Sequence, residues 1–148
     1  MDGTVEGLSL IQSYQDNNGF VKFLGMQLRI LDAGYVTYTL NVKNKHLATP
    51  GFVHGGVLTT MLDATMGAGA LTLVAEQVQV VSTIEMQVNF LMSAKMNETL
   101  VCTSILIRKG RKVIFMKAEI RNEQNQLVAV SNGSFYPFSA EKAGYKLN

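Results

Sequence analysis

The pattern of hydrophobic and polar positions along this chain predicts six β-strands. The predicted strands are separated by short runs of turn-forming residues, and they cover residues 25–31, 34–42, 82–91, 99–108, 112–121 and 127–136. Along residues 82–91, the alternation places Ile84 and Met86 on one face, and Thr83 and Glu85 on the other. Pro137 cannot donate to a strand ladder, so we expect the last strand to stop there.

Two other segments follow helical spacing. Residues 7–16 predict a short N-terminal helix, and a longer helix is predicted to begin near Gly55 and to run to about Val74. One long helix among consecutive hairpins predicts an α+β fold, in which an antiparallel sheet wraps around that helix. The 148 residues contain no linker or repeat, so we expect a single domain over residues 1–148, with residues 1–20 as an N-terminal extension.

Composition and charge narrow the class of protein. Hydrophobic residues make up 47% of the chain and charged residues 16%, which is enough for a buried core and unlike a disordered segment. The chain has no run of about 18 apolar residues, no signal-peptide pattern at its start, and one cysteine, Cys102, which cannot form an internal disulfide. We therefore expect a cytoplasmic protein with no membrane span. The net charge of +2 and one short basic cluster at residues 108–112 do not predict a nucleic-acid partner.

The segment from His54 to Asp63 contains the residues best suited to chemistry. Gly55 and Gly56 open the predicted long helix, where uncovered backbone N–H groups lie at the positive end of the helix dipole. Such a helix start can bind an anion or stabilise a developing oxyanion. Asp63 lies in the helix interior, with no cationic residue three or four positions away. A lone carboxylate there indicates either a functional acid or a solvated, structurally satisfied aspartate, and the pattern alone favours neither.

Helix geometry restricts how Gly55 and Asp63 can act together. They are eight residues apart in sequence, which is roughly 12 Å along a helix at ~1.5 Å per residue. One carbonyl group cannot contact both residues of the same chain. If both serve one reaction, they come from two chains related by symmetry, and the site lies in a homodimer interface.

Three sequence features occur in a fixed order: His54-Gly55-Gly56, then Asp63 nine positions after the histidine, then the strand pattern T-x-E-x-x-x-N-F at residues 83–90. In this order they resemble the hotdog-fold thioesterases, and most of all the PaaI-like branch of the 4-hydroxybenzoyl-CoA thioesterase superfamily. The resemblance covers about residues 20–137, nearly the whole chain. It implies a hotdog fold and the hydrolysis of a fatty-acyl-CoA or an aryl-CoA to the free acid and CoA.

The resemblance also implies a role for each residue of the motif. Gly55 would donate its backbone N–H to the thioester carbonyl, and Asp63 of the partner subunit would act as general base or nucleophile. Thr83 would position the water or the acid. His54 would be a structural hydrogen-bonding residue, with proton transfer as the less favoured role, and Gly56 would allow the tight entry to the helix.

The basic turn is expected to hold the phosphates of CoA, with a solvated hairpin tip as the alternative; it consists of Arg108, Lys109, Gly110, Arg111 and Lys112. No cofactor or metal is implied, because the CoA thioester is itself the substrate. The implied assembly is a homodimer, paired further into a dimer of dimers.

Two positions depart from the pattern of the relatives. Ala48 stands where many of them carry an asparagine that supports the oxyanion hole, and Met92-Ser93 replaces an Arg-Pro pair after the strand. Two other functions remain open: a non-catalytic acyl-CoA-binding hotdog protein, and a dehydratase or hydratase of acyl thioesters. The second would require a catalytic histidine paired with a helix acid, and His54 directly before two glycines fits that pairing poorly.

Overall fold

The computed structural model describes residues 4–146, and it contains the predicted elements in their predicted order together with one short helix and two short strands that were not predicted. The helices are α1 (Val5–Asn17), α2 (Gly19–Leu24) and α3 (Gly55–Thr72). The strands are β1 (Gln27–Asp32), β2 (Tyr35–Asn41), β3 (Leu47–Thr49), β4 (Phe52–Val53), β5 (Gln79–Phe90), β6 (Thr99–Lys109), β7 (Ile114–Arg121) and β8 (Leu127–Ser139). Residues 1–3 of the predicted N-terminal extension, and residues 147–148, lie outside the described part.

Six strands form one antiparallel sheet in the order β1-β2-β6-β7-β8-β5, so that β1 and β5 are its edges. The long helix α3 packs against β2, β5, β6, β7 and β8. The short strands β3 and β4 pair with each other and lead the chain into α3. The predicted α+β fold, with an antiparallel sheet around one long helix, is confirmed.

Burial explains why α3 lies against the sheet. Met61 and Met66 are fully buried, and each side chain of this size contributes about 1.5–3 kcal/mol when it leaves water. Gly69 allows the helix to approach β6 and β7 closely: a Cβ atom there would lie 2.5 Å from Ser104 Oγ and 2.9 Å from Met116 Cε. The glycine in this helix therefore makes room for two side chains of the sheet.

The N-terminal helices are more extensive than the sequence pattern predicted. Thr4 caps α1, since its Oγ1 accepts a hydrogen bond of 3.1 Å from the Gly7 N–H. Asn18 then starts the unpredicted helix α2 by accepting 3.3 Å from the Val21 N–H, and Gly25 ends it with a φ of +79°. Because α2 has only six residues, its hydrophobic period is too short to be recognised.

The face assignment in β5 is wrong for Thr83. Thr83 pairs with Phe135, but Glu85 pairs with Ser134, so Ile84 is an extra residue in a β-bulge. The bulge reverses the alternation: Thr83 lies on the side of α3, whereas Glu85 lies on the opposite side of the sheet. Thr83 and Glu85 therefore do not share a face.

The prediction that Pro137 ends the last strand is also wrong. β8 continues to Ser139, with Pro137 opposite Val81 of β5. On its other side, β8 pairs with β7 only as far as Phe135, which lies opposite Ile114, the first residue of β7. Pro137 thus lies where β8 has a neighbour on one side only, the kind of position at which a strand tolerates a residue without an N–H.

Candidate active site

The helix α3 starts at a capped turn that leaves one N–H group free. The His54 Nδ1 atom accepts 2.7 Å from the Gly56 N–H, and the His54 carbonyl accepts 2.9 Å from the Val57 N–H. Within residues 4–146, the Gly55 N–H has no acceptor. The structure therefore places His54 as the N-cap of α3, engages Gly56 with that cap, and leaves the Gly55 N–H available to a ligand.

A second histidine, not singled out from the sequence, holds this turn in place. His46 is buried, and its carbonyl accepts 2.8 Å from the His54 N–H. Its Nδ1 accepts 2.9 Å from the Lys43 N–H, so the proton of the neutral ring lies on Nε2, which donates 2.7 Å to the Leu24 carbonyl. Both ring nitrogens are thus satisfied, and His46 is a structural residue that joins α2 to the start of α3.

Asp63 lies on α3 with its carboxylate held by the sheet. Thr83 Oγ1 donates 2.7 Å to Asp63 Oδ1, across the β-bulge that turns Thr83 toward the helix. The nearer threonines of α3 do not compete for the carboxylate, because Thr59 and Thr60 donate to the Gly55 and Gly56 carbonyls. The structure therefore brings Asp63 and Thr83 together, as their placement in one site requires.

This pair lies in a pocket of about 310 Å³ between α3, β5 and the N-terminal helices. Its wall includes three aromatic rings and several small or apolar side chains, and Asp63 is the only charged residue among them. The lining residues are Tyr14, Asn18, Phe20, Val21, Thr60, Asp63, Ala64, Gly67, Val81, Ser82, Thr83 and Phe135. The contribution of α1 and α2 was not predicted; the apolar residues that follow Asn18-Gly19 were the signal that could have indicated it.

Tyr14 brings a hydroxyl group to the same pocket. Burial first, and then the charges of Tyr145 and Asp63, raise the pKa of Tyr14 to about 12, while a hydrogen bond with Asn18 acts to lower it. Tyr14 is therefore a neutral phenol near pH 7, which can donate a hydrogen bond but cannot serve as a base.

Gly55 and Asp63 do not meet within one chain. α3 is regular from Gly55 to Thr72, so the eight-residue separation corresponds to ~12 Å along the axis. Gly55 does not line the Asp63 pocket, and its nearest side chain is Phe90, whose Cζ would lie 3.3 Å from an added Cβ. A reaction that uses both residues needs a second chain.

The basic turn lies at the far end of α3 from Gly55. It joins β6 to β7, and Lys109 Nζ donates 2.7 Å to the Leu73 carbonyl, at the C-terminal end of the helix. Lys109 therefore stabilises the negative end of the helix dipole. The cations of Arg108, Arg111 and Lys112 are exposed. Within one chain, the turn is remote from the Gly55 N–H, at ~27 Å for the 18 residues of α3.

Several other features bear on the chemistry of the site. Burial raises the pKa of the Cys102 thiol to about 12, which leaves it unreactive in the core. Ala48, on β3, offers no side-chain donor near the start of α3.

Residues 4–146 contain no cluster of three or more His, Cys, Asp or Glu side chains that could bind a metal ion. None of the helices in the described range has the length and apolar character needed to cross a bilayer.

The family of this chain is shown by its match to a protein-family model. The model of the thioesterase superfamily matches residues 50–129, more than half of the chain and the part that contains His54, Asp63 and Thr83. The chain belongs to the thioesterase superfamily. This thioesterase is a thioester hydrolase, and its reaction class follows from that membership.

Several individual proteins are similar to this chain. A protein of Saccharolobus solfataricus, proposed to be an esterase, is 30% identical over 115 residues, which cover 78% of this chain and 80% of the relative. The E. coli PaaI protein, from the phenylacetic acid degradation operon, has a TM-score of 0.82 at 20% identity, over 90% of this chain and 94% of PaaI. A hypothetical thioesterase of Streptococcus pneumoniae, whose structure holds coenzyme A, has a TM-score of 0.71 at 23% identity, over 77% and 86%. The thioesterase therefore has the hotdog fold of these structures.

Proposed function

We propose that this thioesterase hydrolyses acyl-CoA, with Asp63 of one chain and the Gly55 N–H of the partner chain acting on one thioester. The observation that carries the proposal is the Asp63 carboxylate, held at 2.7 Å by Thr83 on the wall of an otherwise uncharged pocket. A carboxylate that is bonded by a hydroxyl but lacks a counter-ion among the lining residues retains lone pairs for a proton or an acyl carbon. The Gly55 N–H supplies the complementary donor for the carbonyl oxygen.

The proposed reaction has two forms that use the same residues. With Asp63 as general base, it removes a proton from water while the water oxygen attacks the carbonyl carbon. The tetrahedral oxyanion is stabilised by Gly55, the C–S bond breaks, and the sulfur of CoA leaves with the proton. With Asp63 as nucleophile, its carboxylate displaces the CoA thiolate to form an anhydride, which water then hydrolyses. Thr83 fixes the orientation of the carboxylate in both forms.

The two halves of the substrate suit different parts of the molecule. The Asp63 pocket fits the acyl group, because it is lined by aromatic and apolar side chains and has no cation among its lining residues. The phosphates of CoA require cations, and the basic turn exposes Arg108, Arg111 and Lys112. Coenzyme A in the Streptococcus pneumoniae relative supports CoA as the carrier. The acyl group is a fatty-acyl or an aryl group.

A homodimer, which pairs further into a dimer of dimers, completes the proposal. Edge strand β5 offers one surface for it: this strand has 12 residues, and its neighbour β8 covers only one of its two sides. Ile84 and Phe90 expose 57% and 55% of their surface on this strand. Phe90 also lies beside Gly55, so a chain that pairs along β5 comes close to the free N–H. We place the protein in the cytoplasm, with no nucleic acid, membrane or cofactor as a partner.

A hydratase or dehydratase is less well supported by the histidines. His46 has both ring nitrogens occupied by backbone groups, and His54 uses Nδ1 to cap α3. Neither ring forms a hydrogen bond with Asp63. A histidine-acid pair of the kind that addition of water to a double bond requires is therefore not formed within the described chain.

Substitution of Asp63 tests the proposed function. We expect Asp63→Asn and Asp63→Ala to lower kcat on acyl-CoA by at least ~100-fold, because the base or nucleophile is lost. The matched control is Asp32→Asn, which changes an exposed carboxylate at the end of β1 and should leave kcat unchanged. CoA release is measured with a thiol reagent, and circular dichroism verifies the fold. A folded Asp63→Ala protein with near wild-type kcat would refute the mechanism.

A further inference from the structure

The Asp63 pocket has a wall whose side chains come from the N-terminal helices. Tyr14 lies on α1 and Phe20 on α2, whereas Asp63 and Thr83 come from α3 and β5. The helices before β1 are therefore part of the pocket that holds the proposed reacting groups. Tyr14 and Phe20 are therefore placed to contact a substrate that is bound at Asp63.

Phe20 is not held in this position by the core. Its side chain is 60% exposed, and it belongs to neither group of buried hydrophobic residues in the structure. The Asn18 cap fixes the start of α2 two residues earlier, so the direction of Phe20 is set by the helix. An exposed ring that lines a pocket has apolar surface available to a ligand.

The residues that line the pocket fit the acyl group of the substrate better than its phosphates. The lining has no Lys or Arg to meet a phosphate, and Tyr14, Phe20 and Phe135 supply aromatic surface. A volume of about 310 Å³ is near the lower end of the range for small-molecule pockets, which suits a small acyl group. The acyl chain must extend from the reacting carbonyl at Asp63 into this limited space.

We infer that Phe20, together with Tyr14, closes the end of the acyl pocket and sets the longest acyl group that this thioesterase accepts. The inference rests on the proposed function, since it uses Asp63 as the position of the thioester. It makes Phe20 a specificity-determining residue rather than a catalytic one. Its ring contacts the end of the acyl group and leaves the reacting atoms to Asp63, Thr83 and Gly55.

Phe20→Ala and Phe20→Trp should shift chain-length preference in opposite directions. The probes are straight-chain acyl-CoAs from acetyl-CoA to palmitoyl-CoA and a matched series of ω-phenyl acyl-CoAs. For Phe20→Ala, the ratio of kcat/KM for the homologues longer than the wild-type optimum to kcat/KM at that optimum should rise about tenfold. For Phe20→Trp the same ratio should fall, because the larger ring shortens the pocket.

Phe23→Ala is the matched control. Phe23 lies on the same helix and is 62% exposed, but its ring faces Lys45 Nζ at 4.9 Å from the centroid, and it does not line the pocket. Its length profile should equal that of the wild type. An active wild type with the same profile in Phe20→Ala, Phe20→Trp and Phe23→Ala would overturn the inference alone. A wild type that is inactive on both series would overturn the proposed function and this inference with it.

Discussion

The hydrogen bond between Thr83 and Asp63 gives a graded test of the site, because it can be removed while the carboxylate stays. Thr83→Val keeps the shape and the β-branching that a strand favours but loses the donor at 2.7 Å from Asp63 Oδ1. A hydrogen bond to a charged group contributes about 1.5–3 kcal/mol when it is buried. Thr83 is exposed and Asp63 half-buried, so the lower end applies, and ~1.4 kcal/mol corresponds to a tenfold loss.

We therefore expect kcat of Thr83→Val to fall about tenfold with little change in KM, because the bond orients Asp63 for the reaction more than it binds substrate. The assay is steady-state CoA release at saturating acyl-CoA. Thr83→Ser, which restores the hydroxyl, should recover most of kcat, and this rescue separates the hydroxyl from any effect of side-chain shape. If Thr83→Val had a kcat within about twofold of wild type, Thr83 would not position Asp63.

The residues of the basic turn should have two different functions. The double substitution Arg111→Gln and Lys112→Gln should raise KM for acyl-CoA and leave kcat unchanged, and this rise in KM should shrink at high salt. An unchanged KM would mean that these residues form only a solvated hairpin tip. Lys109→Met should instead lower the free energy of unfolding by up to about 1 kcal/mol in a urea titration, since Lys109 Nζ bonds the Leu73 carbonyl at the end of α3; stability equal to wild type would contradict that capping role.

The sequence was informative where one physical signal dominated. Gly55 was expected to start the long helix, and it does, because the glycine pair follows the break at Thr49-Pro50-Gly51 and precedes a long apolar period. The six main strands were predicted within a few residues, since clear turn residues separate them. The association of Asp63 with Thr83 came from the family resemblance, and the structure shows it as a hydrogen bond.

Other features depend on contacts that a local pattern does not encode. The bulge at Ile84 reverses the face of Thr83, and it is specified by pairing with Phe135 and Ser134, some 50 residues away in sequence. Pro137 is tolerated within β8 because the neighbouring strand β7 begins at Ile114, opposite Phe135, and does not reach Pro137. The place of Phe20 in the pocket depends on how α2 packs beside α3, which six residues of sequence cannot specify.

The shared site is the central claim, and it requires a donor that can be removed without unfolding the helix. Gly55→Pro is suited to this because proline is tolerated at the first position of a helix. The residue before it, His54, already has the extended φ and ψ of −66° and 133° that proline requires. The N–H that it removes has no partner within the described residues, so no internal hydrogen bond is lost. Loss of an oxyanion donor should lower kcat by ~100-fold or more.

The most direct measurement mixes folded Asp63→Ala and Gly55→Pro chains after partial unfolding and reassembly, with chain exchange verified by mass-tagged subunits. Each homodimer should be nearly inactive, because both of its sites lack one component. In a heterodimer, one site receives both substitutions and the other combines an intact Asp63 with an intact Gly55. Equal mixing makes half of the dimers heterodimers, so we predict recovery of roughly a quarter of wild-type activity. No recovery despite verified exchange would show that the two residues do not act across a shared interface.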